Sequence, residues 1–476
     1  MEFFNALSDW LWTYVVITML VGCALYFTWN LRGVQFTMLP TMLKGLTPNP
    51  SHAGKGNNVT SEDSPLSRRR GAGGEAISSF QAFAISLSSR VGTGNLAGVA
   101  SAIFVGGPGA VFWMWVMALL GASTAFMEAT LAQLFKQKGR ESFYGGPAYY
   151  MKHGLGRKWM GVLFAVFIIY GFGLANQIVQ SNTLCAAIGH AFSLPMQYVA
   201  VALTVLTLCI IFGGVRRIAH FCAMVVPFMA IGYLALAAYI LIVNWNEIPQ
   251  MLALIVRSAF GWEQAAGGAF GMAVMQGVKR GLFSNEAGEG SAPNAAATAT
   301  IAHPVQQGLL QSLGVFVDTL VICTCTAFII LLSGLYTEGS DGIILTAHAM
   351  NHHLGSFGAW YLTAAIFLFA YSTIIANYFY GETNIRFLCN NHWAVFAFRL
   401  ASGVVIMMGG LLTLQQAWSI IDLAMALMTI LNLTAVMLLS RYAFRLLRDY
   451  REQRQKGKEP VFDPDLFPDL DIPAWR

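Results

Sequence analysis

The sequence predicts an all-α polytopic membrane protein of about eleven transmembrane helices. Three observations carry that prediction. Hydrophobic residues make up 56% of the 476 positions and charged residues only 11%, a balance too apolar for a soluble multi-domain protein. Apolar runs of about 20 residues, enough to cross a bilayer as a helix, recur from end to end. Finally, the stretch R-V-G-T-G-N-L-A-G-V-A-S-A at 90–102 recurs as R-G-L-F-S-N-E-A-G-E-G-S-A at 280–292, and each copy interrupts an apolar segment. Arg, Asn, Ala, Gly, Ser and Ala match at one constant offset of 190 residues. Roughly one or two such matches are expected from composition alone.

The first apolar run, 10–29, follows Met-Glu without a basic n-region and is near full spanning length, so it is expected to be a retained helix rather than a cleaved signal. A polar loop follows at 37–74, where Asn58-Val59-Thr60 is formally a glycosylation acceptor on the expected cytoplasmic side. The other expected spans are 78–105, 110–135, 159–187, 197–211, 221–243, 268–300, 308–335, 361–380, 396–414 and 418–439. Segment 268–300 is too long for one straight crossing. It contains S-N-E-A-G-E-G-S-A-P-N, which a membrane helix tolerates only when broken around a cavity.

Five helices in 75–245 and five in 265–440 follow the leading helix of 1–36, and a tail occupies 441–476. Sets with an odd number of crossings insert in opposite orientations. The repeated stretch therefore implies a 5+5 inverted repeat about an axis in the membrane plane, with both interruptions near the bilayer midplane. Arg68, Arg69 and Arg70, the group Lys136, Lys138, Arg140, Lys152, Arg157 and Lys158, then Arg216, Arg217, Arg386 and the Arg-rich tail fall on one side if the N-terminus is outside. Asp9, Glu247, Glu263, Glu338 and Asp341 fall on the other, with Arg257 the one clear exception. The expectation is a multi-pass plasma-membrane protein with a cytoplasmic C-terminus.

Paired, Gly-interrupted hydrophobic segments point to the binding site of a secondary transporter for a small polar solute. Glycines let the backbone leave helical geometry and clear space for a ligand. A break exposes half-helix N–H groups, which attract an anion, and half-helix carbonyls, which bind a cation or ammonium. A zwitterion needs both. The substrate candidates are Gly92, Thr93, Gly94 and Asn95 in the first copy and Phe283, Ser284 and Asn285 in the second. Close helix packing is the competing role for these glycines.

Ser372 and Thr373 interrupt F-L-F-A-Y-S-T-I-I-A-N with hydroxyls suited to a hard cation, against the alternative that each bonds back to its own helix. Gln180 and Asn182 form a polar stripe that either lines a cavity or holds helices together. Glu128, Glu286, Glu289, Asp318 and Asp422 lie at membrane depth, with Arg90, Lys279 and Arg280 as expected counter-ions in pairs that shape gates.

Other chemistries find little support. Gly92-x-Gly94-x-x-Ala97 has no preceding strand and no acidic residue about 20 positions later, against a dinucleotide site. H-E-x-x-H, a convincing G-x-S-x-G and a P-loop are all missing, and no repeated filter-like loop suggests a channel. The seven cysteines form no C-x-x-C pair. Neither a catalytic function, a cofactor, a nucleic acid nor an obligatory protein partner is expected.

These residues resemble a known family. G-G-P-G-A-V-F-W-M-W-V-M-A-L-L-G (106–121) is similar to the signature of the alanine or glycine:cation symporters. So are G-T-G-N-L-A-G (92–98), S-N-E-A-G-E-G-S-A-P-N-A-A-A (284–297) and the tail motif V-F-D-P (461–464). The resemblance implies a sodium-coupled importer of small neutral amino acids (alanine, glycine, with D-alanine or serine as further candidates) on a LeuT-like scaffold with one extra N-terminal helix. A proton-coupled carrier of the same solutes is the alternative. It also implies a sodium site built from the carbonyls of Ser88, Val91 and Phe369 with the hydroxyls of Ser372 and Thr373. The substrate carboxylate is then expected at the N–H groups of Thr93 and Gly94, the ammonium near the carbonyls around Arg90, Phe283 and Ser284, and Gln180 in the cavity lining.

Overall fold

The computed structural model describes residues 7–46, 77–139, 142–261, 267–337, 339, 342–412 and 414–476. Most of the expected loop at 37–74, with Asn58, Arg68, Arg69 and Arg70, lies outside the described residues, as do Arg140, Glu263, Glu338 and Asp341. Among the described residues the regular structure is helical except for one two-residue antiparallel ladder, Gln137–Lys138 with Phe143–Tyr144.

In chain order the helices are α1 (Leu7–Asn30), α2 (Ser79–Arg90), α3 (Gly94–Gly106), α4 (Gly109–Leu134), α5 (Lys158–Gly189), α6 (Met196–Ile211) and α7 (Gly214–Val243). They continue as α8 (Ile248–Ala259), α9 (Gly267–Asn285), α10 (Pro293–Ala296), α11 (Val305–Ser333), α12 (Gly342–Leu354), α13 (Ser356–Leu388), α14 (His392–Gly409) and α15 (Leu414–Gln455). Eight of the described helices are long and apolar enough to cross a membrane. The other three expected spans are helical too. However, 78–105 and 268–300 are interrupted, and Met196–Ile211 is short.

Local chemistry sets several boundaries. Ser78 and Gln81 form a reciprocal capping box that starts α2: the Gln81 N–H donates to Ser78 Oγ (3.1 Å) and the Ser78 N–H to Gln81 Oε1 (2.9 Å). Gly107, with φ +72°, makes the turn into Pro108 and α4. The inner half of α4 is buried on all sides, packed against α9 and α11, so it reads as apolar with no single face.

Two helices fall where the sequence suggests connections. α8 buries only Ile255 and Ala259 and is tied to α4, where the Gly109 N–H donates to Ser258 Oγ (3.1 Å) and Trp113 Nε1 donates to the Ala259 carbonyl (3.1 Å). α12 packs on α3 and α13, and its Thr346 hydroxyl donates to the Leu96 carbonyl (3.1 Å). Both are too short and too one-sided to show as apolar runs.

α15 continues well past the expected end at 439, because Ala443, Leu446, Leu447 and Tyr450 keep a buried stripe at helical spacing beneath the arginines. The tail beyond it folds back. The Phe462 N–H donates to the Ala302 carbonyl (3.0 Å), Trp475 Nε1 donates to the Gln133 carbonyl (2.9 Å), and Lys136 Nζ sits 4.5 Å from the Trp475 ring.

Candidate functional site

Both copies of the repeated stretch break their helices. In the first, α2 ends at Arg90, and Val91 turns out of helical geometry (φ −80°, ψ 80°). The Gly92 N–H donates to Asn95 Oδ1 (3.0 Å) and to the Arg90 carbonyl (2.9 Å). The chain re-enters a helix through a π-helical turn at Gly94–Gly98. In the second, α9 ends at Asn285, followed by Glu286 (φ +56°), Gly288 (φ +98°) and Gly290 (φ +82°). A left-handed glutamate costs about 1–3 kcal/mol. It is held here by the Ser89 and Ser291 hydroxyls, which donate to its carboxyl, and by its own N–H on the Leu282 carbonyl (2.7 Å).

The two breaks lie against each other. Gly94 faces the Phe283 ring so closely that a Cβ there would stand 2.9 Å from it. Asp318, in a π-helical turn of α11 (Phe316–Cys323), joins both breaks. It accepts from Asn95 Nδ2 (2.6 Å), from the Ser284 hydroxyl (2.6 Å) and from the Thr319 hydroxyl (2.9 Å). Asn285 points away, its Nδ2 donating to the Thr319 hydroxyl (3.2 Å) and its Oδ1 accepting from the Ala287 N–H (3.0 Å). Ser89 Oγ is 2.7 Å from the Asn377 amide on α13, which completes the ring of polar groups.

Gln180, on α5, meets the first break directly. Its Oε1 accepts from the Thr93 N–H (3.1 Å) while its Nε2 donates to Asn176 Oδ1 (2.9 Å). An uncharged carbonyl oxygen thus occupies an acceptor slot at the start of the second half-helix, α3. Asn182 does the other job foreseen for the polar stripe: its Nδ2 donates to the carbonyls of Gly409 (2.9 Å) and Leu412 (2.6 Å), which fastens α5 to the end of α14.

Five oxygens gather beside this. The Thr373 hydroxyl lies 2.7 Å from the Ser88 carbonyl, 3.4 Å from that of Val91 and 2.9 Å from that of Phe369. Ser372 Oγ donates to the same Phe369 carbonyl (3.0 Å). The bonds to Phe369 are the back-bonding weighed from sequence, whereas the contacts with Ser88 and Val91 reach across to α2. Thr373 has one proton to offer three carbonyls. That surplus of neutral acceptors is the kind of set a hard monovalent cation takes.

The expected charge pairing at membrane depth is found in part: Arg90 acts electrostatically on Glu128, Glu286, Glu289 and Asp318. Lys279 pairs outward with Asp9 (2.9 Å), and Arg90 Nη1 donates to the Gln311 carbonyl (3.1 Å). Three of the buried acids, Glu128, Glu286 and Asp318, are also held by neutral donors. Glu128, for example, accepts from Asn432 Nδ2 (2.8 Å) and the Gly288 N–H (3.3 Å). A carboxyl wrapped in oriented amides and hydroxyls avoids the cost of immobilising a long basic partner. Asp318 as a bridge, Asn377, Thr319 and Thr346 were not singled out for these roles in the sequence. The only signal was polarity inside apolar runs, which does not say which polar groups meet.

Residues 1–464 match the sodium:alanine symporter family. The chain is 46% identical over 461 residues to the probable sodium/glutamine symporter GlnT of Bacillus subtilis (strain 168), covering 97% of this chain and 92% of the relative. It is 44% identical over 473 residues to the amino-acid carrier protein AlsT of the same organism, covering 98% and 97%. It is 41% identical over 493 residues to that organism's putative sodium/proton-dependent alanine carrier protein YrbD, covering 100% and 97%. With identity of this order along the whole length, the chain belongs to the sodium:alanine symporter family.

Proposed function

We propose that this chain is a sodium-coupled symporter that imports small neutral amino acids, alanine or glycine first, by alternating access across the plasma membrane. Its scaffold is read as LeuT-like: eleven crossings, an outside N-terminus, a cytoplasmic tail, and two inverted five-helix repeats at 75–245 and 265–440 behind an extra first helix. The observation that carries the reading is the convergence of the Ser88, Val91 and Phe369 carbonyls on the Thr373 hydroxyl, directly beside the break at Gly92–Thr93. Those carbonyls, with Ser372 and Thr373, hold the sodium ion. Because two of the carbonyls come from the broken segment, ion binding and substrate binding depend on the same backbone.

The substrate carboxylate takes the N–H groups of Thr93 and Gly94, displacing the Gln180 oxygen that lies on Thr93 here. Asn95 orders that turn, and the ammonium lies toward the carbonyls around Arg90, Phe283 and Ser284. Phe283 packs against Gly94 at the break, and alanine or glycine is read here as the substrate ahead of the glutamine of the relative's name. Proton coupling is the second reading, consistent with the relative named as sodium/proton-dependent.

In proteoliposomes, radiolabelled alanine should accumulate under a sodium gradient and stop accumulating when choline replaces sodium at constant pH. Undiminished accumulation in choline would remove sodium coupling and leave the proton reading.

A further inference from the structure

Among the buried acids, Glu289 has a different environment from the rest. It lies in the turn between α9 and α10, is fully buried, and neither of its carboxyl oxygens has a hydrogen-bond partner. By contrast, Glu286 is held by two serine hydroxyls, Glu128 by an asparagine amide and a backbone N–H, and Asp318 by three side-chain donors.

The charged groups facing Glu289 are Glu286 in its own turn, Glu128 on α4, Asp422 on α15 and Arg90 at the end of α2. Tyr150 stands beside Glu128 and Tyr380 beside Glu286 in the same cluster. Three of those four charged neighbours are acids. The one cation among them, Arg90, donates through Nη1 to the Gln311 carbonyl, has no partner on Nε or Nη2, and makes no hydrogen bond to Glu289.

An ionised carboxylate in such a place has neither solvent nor hydrogen-bond donors to stabilise it. The turn that carries Glu289 is built on glycines. Gly288 and Gly290 flank Glu289 with φ of +98° and +82°. The turn is held shut by packing: a Cβ on Gly290 would stand 2.7 Å from Pro147 and 2.8 Å from Asn432. Asn432 Nδ2 also donates to the Gly288 carbonyl (2.9 Å). Displacing α10 or α15 from this turn would bring water to Glu289.

We propose that Glu289 is a proton-binding site of the transport cycle. It carries a proton while the turn is closed and exchanges it with water when the turn opens. In that exchange the carboxylic O–H bond breaks and the proton passes to water, leaving carboxylate and hydronium; no other bond changes. Glu286 and Glu128, fixed by donors in the closed state, anchor the turn and do not take part in the exchange. The inference rests on the symporter reading above and assigns that carrier a second coupling ion with its own site.

The test uses the full chain in proteoliposomes, with radiolabelled alanine, glycine and glutamine and a pH-sensitive dye. The wild type should carry protons in the same direction as the amino acid. Its sodium-driven uptake should vary with pH, approaching tenfold per unit where the site titrates. Glu289→Gln keeps the size of the neutral acid, so sodium-driven uptake should persist with a flat pH profile and no substrate-induced proton movement. Glu289→Asp should regain both the pH dependence and the proton movement.

Wild-type pH dependence and proton movement in Glu289→Gln would overturn the proposal. So would sodium-driven uptake by the wild type without any proton movement. If Glu289→Gln does not reach the membrane, the wild-type proton signal and the Glu289→Asp profile decide. A wild type that accumulates none of the three amino acids under any ion gradient would instead overturn the symporter reading itself.

Discussion

Gly92→Ala places one methyl group between the two halves of the proposed site. A Cβ at 92 would lie 2.5 Å from Thr373 Oγ1, 3.1 Å from Gln180 Oε1 and 3.3 Å from Thr373 Cβ. Ordinary contact begins near 3.5 Å, so something must move by about 1 Å. Gly92 does not lie in the left-handed region, so alanine brings no backbone strain and the effect is purely one of space. The group that can yield is the Thr373 hydroxyl, by rotating about χ1, and rotation takes it away from the carbonyls of Ser88 and Val91.

Overpacking of this kind costs about 1–3 kcal/mol. If the whole penalty falls on the ion-bound state, the sodium concentration for half-maximal uptake rises by about 5- to 150-fold. The assay is alanine uptake against sodium concentration in proteoliposomes, with thermal stability of the purified protein as a control for folding. Combined with Thr373→Ala, the glycine change should add much less than it does alone, because both act through one hydroxyl. An unchanged sodium requirement in Gly92→Ala, or full additivity in the double variant, would refute the placement of the ion beside Gly92.

Three further outcomes are expected. Thr373→Ala should raise the sodium requirement more than it weakens alanine binding, by about tenfold or more for the loss of one oxygen on a charged ligand; wild-type sodium kinetics would reject its role. Asn95→Ala removes both the cap on the Gly92 N–H and a bond to Asp318, so uptake should fall steeply while the protein still reaches the membrane, as read by transport beside surface expression.

The tail should loosen in acid. His303 Nδ1 accepts from the Val305 N–H (3.2 Å), Nε2 faces Asp449 (3.2 Å), and burial pushes the imidazole below its usual range. Because Nδ1 is already an acceptor, the folded form is the neutral Nε2–H tautomer, not an ion pair with Asp449. The released ring binds more protons than the docked one, so docking is fully favoured above about pH 6.5 and weakens as pH falls below it. Asp449, held low chiefly by its hydrogen bond from His303, acts in the same direction nearer pH 4, losing its contribution as acid protonates it. Limited proteolysis should therefore clip residues after 456 faster at about pH 5.5 than at about pH 7.5, and His303→Gln should abolish the difference; equal rates for the wild type at both would contradict it.

Much was legible in the chain alone. Composition, the length of the apolar runs and the repeated R-x-x-x-x-N-x-A-G-x-x-S-A pattern gave the membrane class, the positions of both helix breaks and the family motifs. These are local properties: a glycine or a polar residue disturbs a helix where it stands, whatever surrounds it. The same local logic missed α8 and α12, whose short one-sided patterns lack a long apolar run.

Only tertiary structure decided which groups meet. Thr373 reaches the carbonyl of Ser88 across 285 positions, and Asn95 reaches Asp318 across 223. Every residue carries a carbonyl, so no side-chain code marks the three that converge on one hydroxyl, and before the structure only the family resemblance pointed to them. The packing of α2, α5, α11 and α13 selects them. The same holds for Glu289, whose sequence reveals a buried acid but not that neither of its carboxyl oxygens meets a hydrogen-bond donor.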